Sequence, residues 1–120
     1  MQQWIDYCLA KPGSTLSYPF DNHIPVIKVG TKIFALFGQH EGKPSISLKC
    51  EPFRAQSLRE QFEEVVPGYH LNKKHWNTVV LTGSLGEEEI SMLIDHSYDL
   101  VFKSLTRAEK EPIQAESKRA

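Results

Sequence analysis

The chain has 120 residues, 40% of them hydrophobic and 24% charged, with 14 Lys and Arg against 15 Asp and Glu for a formal net charge of −1. That length holds one core and not two, and the composition excludes a chain disordered throughout. Cys8 and Cys50 lack CxxC spacing, which argues against a disulfide framework or a zinc knuckle. P-loop, HExxH and GxGxxG patterns are absent. With no leader-like start and no run of about 18 apolar residues, a monomeric cytoplasmic protein is expected.

In chain order, Trp4, Ile5, Cys8 and Leu9 recur at helical spacing, and Pro12 and Gly13 end that first helix. From about residue 16 to 49 the pattern becomes strand-like, in the segments VIKV, KIFALF and SISLK. Connections this short require antiparallel neighbours. In SISLK, Ile46 and Leu48 point one way and Ser45, Ser47 and Lys49 the other, which predicts one buried and one wet face. KIFALF is apolar on both faces and belongs in the middle of the sheet.

A second helix is expected from Pro52, with Ala55, Leu58, Phe62 and Val65 or Val66 on one stripe, ended by Pro67 and Gly68. WNTVVL reads as another strand. The longest helix follows, with Ser84 and Glu87 at capping-box spacing, acids in its first turn, and a stripe of Ile90, Leu93, Ile94, Tyr98, Val101 and Leu105. Residues 107–120 are mixed in charge and nearly free of apolar residues, so a frayed or flexible tail is expected after a single domain over 1–106. The order gives an α+β fold, a two-layer sandwich of one antiparallel sheet with helices packed on one face.

Charge is sorted along the chain. Residues 22–59 carry Lys28, Lys32, Lys43, Lys49, Arg54 and Arg59 against Glu41 and Glu51, whereas 82–99 carry Glu87, Glu88, Glu89, Asp95 and Asp99 and no base. Such a chain can present one cationic surface despite its near-neutral total. The stretch PGYHLNKKHWNTVVL, 67–81, adds histidines, lysines and aromatics and contains no acid.

Several chemistries compete for these residues. The spacing of His70 and His75 suits neither a helical nor a strand metal pair, even with His40 or His96 brought in, so no metal is expected. Cys50, after Lys49 and before a helix start, is a candidate thiolate, but a small core residue is the commoner outcome. His70 or His75 as acid or base, with Lys73 or Lys74 holding an anionic group, would need a pocket. Polyanion binding would use Lys73 and Lys74 on phosphates, with Tyr69, His70 and Trp76 as stacking faces. Packing is the plainer role for Tyr69 and Trp76.

PGYHLNKKHWNTV at 67–79, preceded by SLKCEP at 47–52 and LREQF at 58–62, and followed by Ser97 and Tyr98, resembles the signature of the MmcQ/YjbR family of small bacterial proteins. YCLAKPG at 7–13 matches its opening, and the likeness runs from about residue 3 to 106. The resemblance implies a CyaY- or frataxin-like α+β fold. It also implies a DNA-binding label, through a "double wing" whose counterparts here are the turn at Gly30 and Thr31 and the loop from Gln39 to Pro44.

The expectation is therefore a non-enzymatic DNA-binding or other polyanion-binding module without catalytic residues, metal or cofactor. Its surface would comprise Lys49, Arg59, His70, Asn72, Lys73, Lys74, His75 and Trp76. The alternatives are a small-molecule enzyme or anionic-ligand-binding protein using the 67–77 loop, and a protein-interaction domain using the open sheet face or an edge strand.

Overall fold

A computed structural model describes residues 1–68, 71–83 and 85–119, with the side chains of 117–119 excepted. The elements run α1 (Gln2–Leu9), β1 (Ser14–Ser17), β2 (Val26–Val29), β3 (Lys32–His40), β4 (Lys43–Lys49), α2 (Pro52–Gln61), β5 (Val65–Pro67), β6 (Trp76–Val80), α3 (Glu87–Lys103) and α4 (Arg107–Arg119). The six strands form one sheet in the order β1-β2-β3-β4-β6-β5, antiparallel at every pairing. Helices cover one face of it, the two-layer α+β arrangement expected.

Register decides which residues meet the helices. Ile27, Ala35, Leu48 and Asn77 lie in one row across the sheet, and Phe37, Ile46, Val79 and Val65 in the next. These rows pack against Trp4, Ile5 and Cys8 of α1 and Ile90, Leu93, Ile94 and Val101 of α3. The register shifts between Ile27 and Lys28, because β3 carries one extra residue, Phe34, between Ala35 and Ile33. This bulge explains KIFALF. Phe34, Ala35 and Phe37 are all fully buried, while Ile33 and Leu36 turn to the open face.

A bulged residue loses a ladder partner, and α3 supplies one. The Ser97 hydroxyl donates to the Phe34 carbonyl at 2.6 Å and accepts from the Lys49 N–H at 2.9 Å. The next residue of α3, Tyr98, donates its hydroxyl to the Pro12 carbonyl at 2.6 Å, fastening the turn that leads from α1 into β1. The β3–β4 turn has positive φ at both Glu41 and Gly42, the two-residue geometry that matches strand twist.

Several expectations need correction. β1 is an additional strand, short and polar. The second helix stops at Gln61, because Phe62 is already extended, and Val65–Pro67 forms the edge strand β5 instead of a last helical turn. Ser84 lies outside the described residues; α3 begins after Gly86, with no side-chain cap, so Glu87 closes no capping box there. Its three first-turn acids face the positive end of the helix dipole. Residues 107–119 form a helix: Ile113 is buried against Gly13, where a Cβ would lie 2.7 Å from it.

Candidate anion-binding face and its basic turn

The basic stretch is a braced turn. The Asn72 side-chain oxygen accepts from the Lys74 N–H at 2.9 Å, and its carbonyl accepts from the His75 N–H at 3.1 Å. Arg59, from α2, forks into this turn: Nε donates to Asn77 Oδ1 at 2.6 Å, and Nη2 donates to the carbonyls of Trp76, at 3.2 Å, and Lys73. Asn77 is buried and itself donates to the Ala55 carbonyl at 3.2 Å. The His75 carbonyl accepts from the Cys50 N–H at 2.8 Å.

The expected site residues thus separate by what they touch. Lys73 and Lys74 are exposed, and among the described residues neither enters an ion pair. Arg59 and Asn72 hold the turn, so the guanidinium expected at the surface spends its donors on backbone and Asn77. His75 is half-buried. Trp76 pairs across the sheet with Lys49, and both project to the open face. Tyr69 and His70 lie outside the described residues.

Of the two expected wings, the turn at Gly30 and Thr31 is occupied by the protein itself. Thr31 donates through N and Oγ1 to Glu109 at 3.1 and 2.5 Å, and Lys32 Nζ donates to the Ser104 carbonyl at 3.0 Å. The hydrogen bonds to Thr31 and Thr106 hold the Glu109 carboxyl below its ordinary range. The β3–β4 turn stands at the opposite end of β3, roughly 25 Å away at about 3.3 Å per residue.

Between the two turns lies the open face, which is not uniformly wet. Ser45 and Ser47 are buried, not exposed as alternation implied, and so is Thr78. They floor a cavity of about 510 Å³ walled by Phe20, Ile33, Leu36, Leu71 and Trp76. Ser47 Oγ and Thr78 Oγ1 hydrogen-bond at 2.8 Å. By register the same face carries Lys28, Lys43, Lys49 and His40, and among the described residues no strand contains Asp or Glu. The acids of α3 sit on the helical side, whereas Glu41, Glu63 and Glu64 line a hollow with His40, Lys43, Val66 and Val80 at the β3–β4 end of the sheet.

Sequence reasoning missed the cavity residues. Ser45 and Ser47 read as solvent-facing, and Phe20 stands in a loop without periodicity. The available signal was Gly38, a glycine in the interior of a strand.

The other chemistries fare less well. Burial raises the Cys50 thiol above its ordinary range and pushes Cys8 up to about 12, so neither is a ready thiolate. Among the described residues no three His, Cys, Asp or Glu gather as a metal site. No helix among them is long and apolar enough to cross a membrane.

His96, on α3, accepts the Glu51 N–H at Nε2, 3.2 Å. Burial first, then the Arg54 charge, lowers its pKa from 6.5. The unfolded chain therefore takes up this proton before the folded one, so stability is full above the unfolded value and falls as pH drops through the folded one. Thermal melts between about pH 7.5 and 5.5 should show this loss, and His96→Gln should flatten it. The Glu51 carboxyl, lowered by the Arg54 and Phe53 N–H groups, titrates at lower pH and leaves that window clear.

The comparisons with known proteins agree with this architecture. The YjbR family model matches residues 9–100. The uncharacterized protein YjbR of Escherichia coli (strain K12) is 43% identical over 98 residues, covering 82% of this chain and 83% of its own. The uncharacterized protein YbdF of Escherichia coli O157:H7 is 33% identical over 106 residues, with 88% and 87% covered. The crystal structure of a Deinococcus radiodurans protein with a DUF419 domain superposes with a TM-score of 0.85 at 36% identity, covering 94% of this chain and 86% of that one. A crystal structure from Pseudomonas syringae gives a TM-score of 0.72 at 34% identity, with 83% and 97% covered. The signature stretch, the two-layer fold and these matches together place the chain in the YjbR family.

Proposed function

We propose that the protein is a non-enzymatic polyanion-binding module, with nucleic acid as the matching ligand, acting through its open sheet face and the adjoining 71–76 turn. The observation that carries this reading is the sorting of charge by layer: lysines on the open face, no acid in any described strand, and the acids of α3 on the other side. Exposed Lys73 and Lys74, unpaired among the described residues, extend the cationic surface beyond the strands. Two buried free thiols suit a reducing compartment, the cytoplasm.

A few phosphate contacts give modest affinity with a log–log salt slope of roughly −2 to −4. Sequence preference is slight, because no helix offers a row of base-reading side chains and α3 is acidic. The test is a titration with duplex DNA from about 50 to about 200 mM salt, repeated on a Lys73→Ala, Lys74→Ala protein. The double substitution should weaken binding and reduce the slope by about 2, near 0.9 per lost phosphate contact. A salt-independent affinity, or a slope the substitutions leave unchanged, rules this surface out.

A further inference from the structure

A glycine inside a strand weakens it and needs a reason. Gly38 of β3 has no positive φ, and a Cβ built on it would meet nothing within 4 Å, so neither backbone conformation nor a close neighbour demands glycine there. It pairs with Ser45 on the open face and lines the cavity. What the missing side chain preserves is empty space. At about 510 Å³, that space falls within the roughly 300–1,000 Å³ of small-molecule sites.

The lining defines what would fill it. Trp76 and Phe20 offer aromatic faces, Phe20 at 66% exposure, and such faces attract flat π systems. The floor is hydroxylic, which suits a ring edge with heteroatoms better than a hydrocarbon chain. Ser45 is buried in that floor, at 4% exposure. Lys49 lies one pleat beyond Ser47 on the same face, and the turn bearing Lys73 and Lys74 continues from Leu71 of the wall. Lysines are point charges suited to phosphate.

We propose that the sheet-face cavity receives a planar heteroaromatic ring attached to a phosphate, the chemistry shared by a free nucleotide and an unstacked base of a single strand. The ring lies against Trp76 and Phe20 with its edge at Ser45, and the phosphate points toward Lys49 and the basic turn. The charge half of this assignment rests on the polyanion reading above; the cavity half does not. Bases stacked within a duplex cannot enter.

The test uses the full chain with adenosine monophosphate, a short oligothymidylate and a duplex, read by amide and Trp76 indole NMR shifts. Both single-base probes should shift Leu36, Gly38, Ser45 and Ser47. Gly38→Leu should fill the cavity, weaken those probes at least about tenfold and leave the melting temperature equal or higher. Ser45→Ala should weaken them less. Binding of the mononucleotide alone assigns a free nucleotide, and binding of the oligonucleotide alone assigns a strand. Failure of both, or affinity unmoved by Gly38→Leu, overturns the cavity assignment. Duplex binding depends on Lys73 and Lys74 and not on Gly38, so each reading can fail while the other stands.

Discussion

Arg59→Ala is expected to destabilise the protein by about 3 kcal/mol, because hydrogen bonds from a charged donor are each worth about 1.5–3 kcal/mol and a stranded buried acceptor adds its own cost. The guanidinium reaches Asn77 Oδ1 and the carbonyls of Lys73 and Trp76, and Asn77 is 3% exposed, so water replaces little of what is lost there. In a domain of this size the melting temperature should fall by roughly 10 °C. Arg59→Lys should recover little, since a single ammonium cannot fork to oxygens that are spread over the turn. A residual loss of anion affinity, measured where both proteins remain folded, would follow from a turn that no longer holds Lys73 and Lys74 in place. A melting temperature within a degree or two of wild type would show that the turn is braced without this fork.

Ser97→Ala should cost a comparable amount, about 2–4 kcal/mol, since it strands the Phe34 carbonyl and the Lys49 N–H together, each unpaired buried group costing about 1–3 kcal/mol. The hydroxyl is fully buried between α3 and the sheet, and the void left by one oxygen is too small to admit a bridging water. Chemical denaturation should show a lower midpoint with an unchanged slope. Amide exchange should speed most at Lys49 and around the bulge. An alanine variant as stable as wild type would mean that the bulge carbonyl finds another donor.

Those two residues also show how a sequence signature can be recognised and misjudged. Arg59, Asn72, Ser97 and Tyr98 belong to the stretches that carry the family likeness, yet each is engaged with backbone: Arg59 and Asn72 in the basic turn, Ser97 at the bulge, Tyr98 at Pro12. Their pattern is distinctive because the fold needs it. Periodicity sufficed for β2, β3, β4 and α3, where the buried stripe is long enough to outweigh local noise. It failed for β1, a short polar strand, and for β5, where Phe62 and Val66 keep helical spacing although Phe62 is already extended and a turn at Glu63 and Glu64 leads into the strand. It failed for α4 as well, whose buried side chain among the described residues, Ile113, packs on Gly13, a residue far away in sequence. The charge of Lys73 and Lys74 was readable directly, but the cavity beside them depends on register, which alternation alone does not supply.

The two rims of the sheet differ in kind. β5 is three residues long and ends in Pro67, which has no N–H to offer an incoming strand, whereas β1 leaves the Ser14–Ser17 backbone at the other rim. Among the described strands, addition of a further strand therefore has one rim at which to begin. Two copies meeting there would be related by a twofold axis and would each cover the other's β1 rim, which leaves the Pro67-ended β5 rims outermost in the doubled sheet.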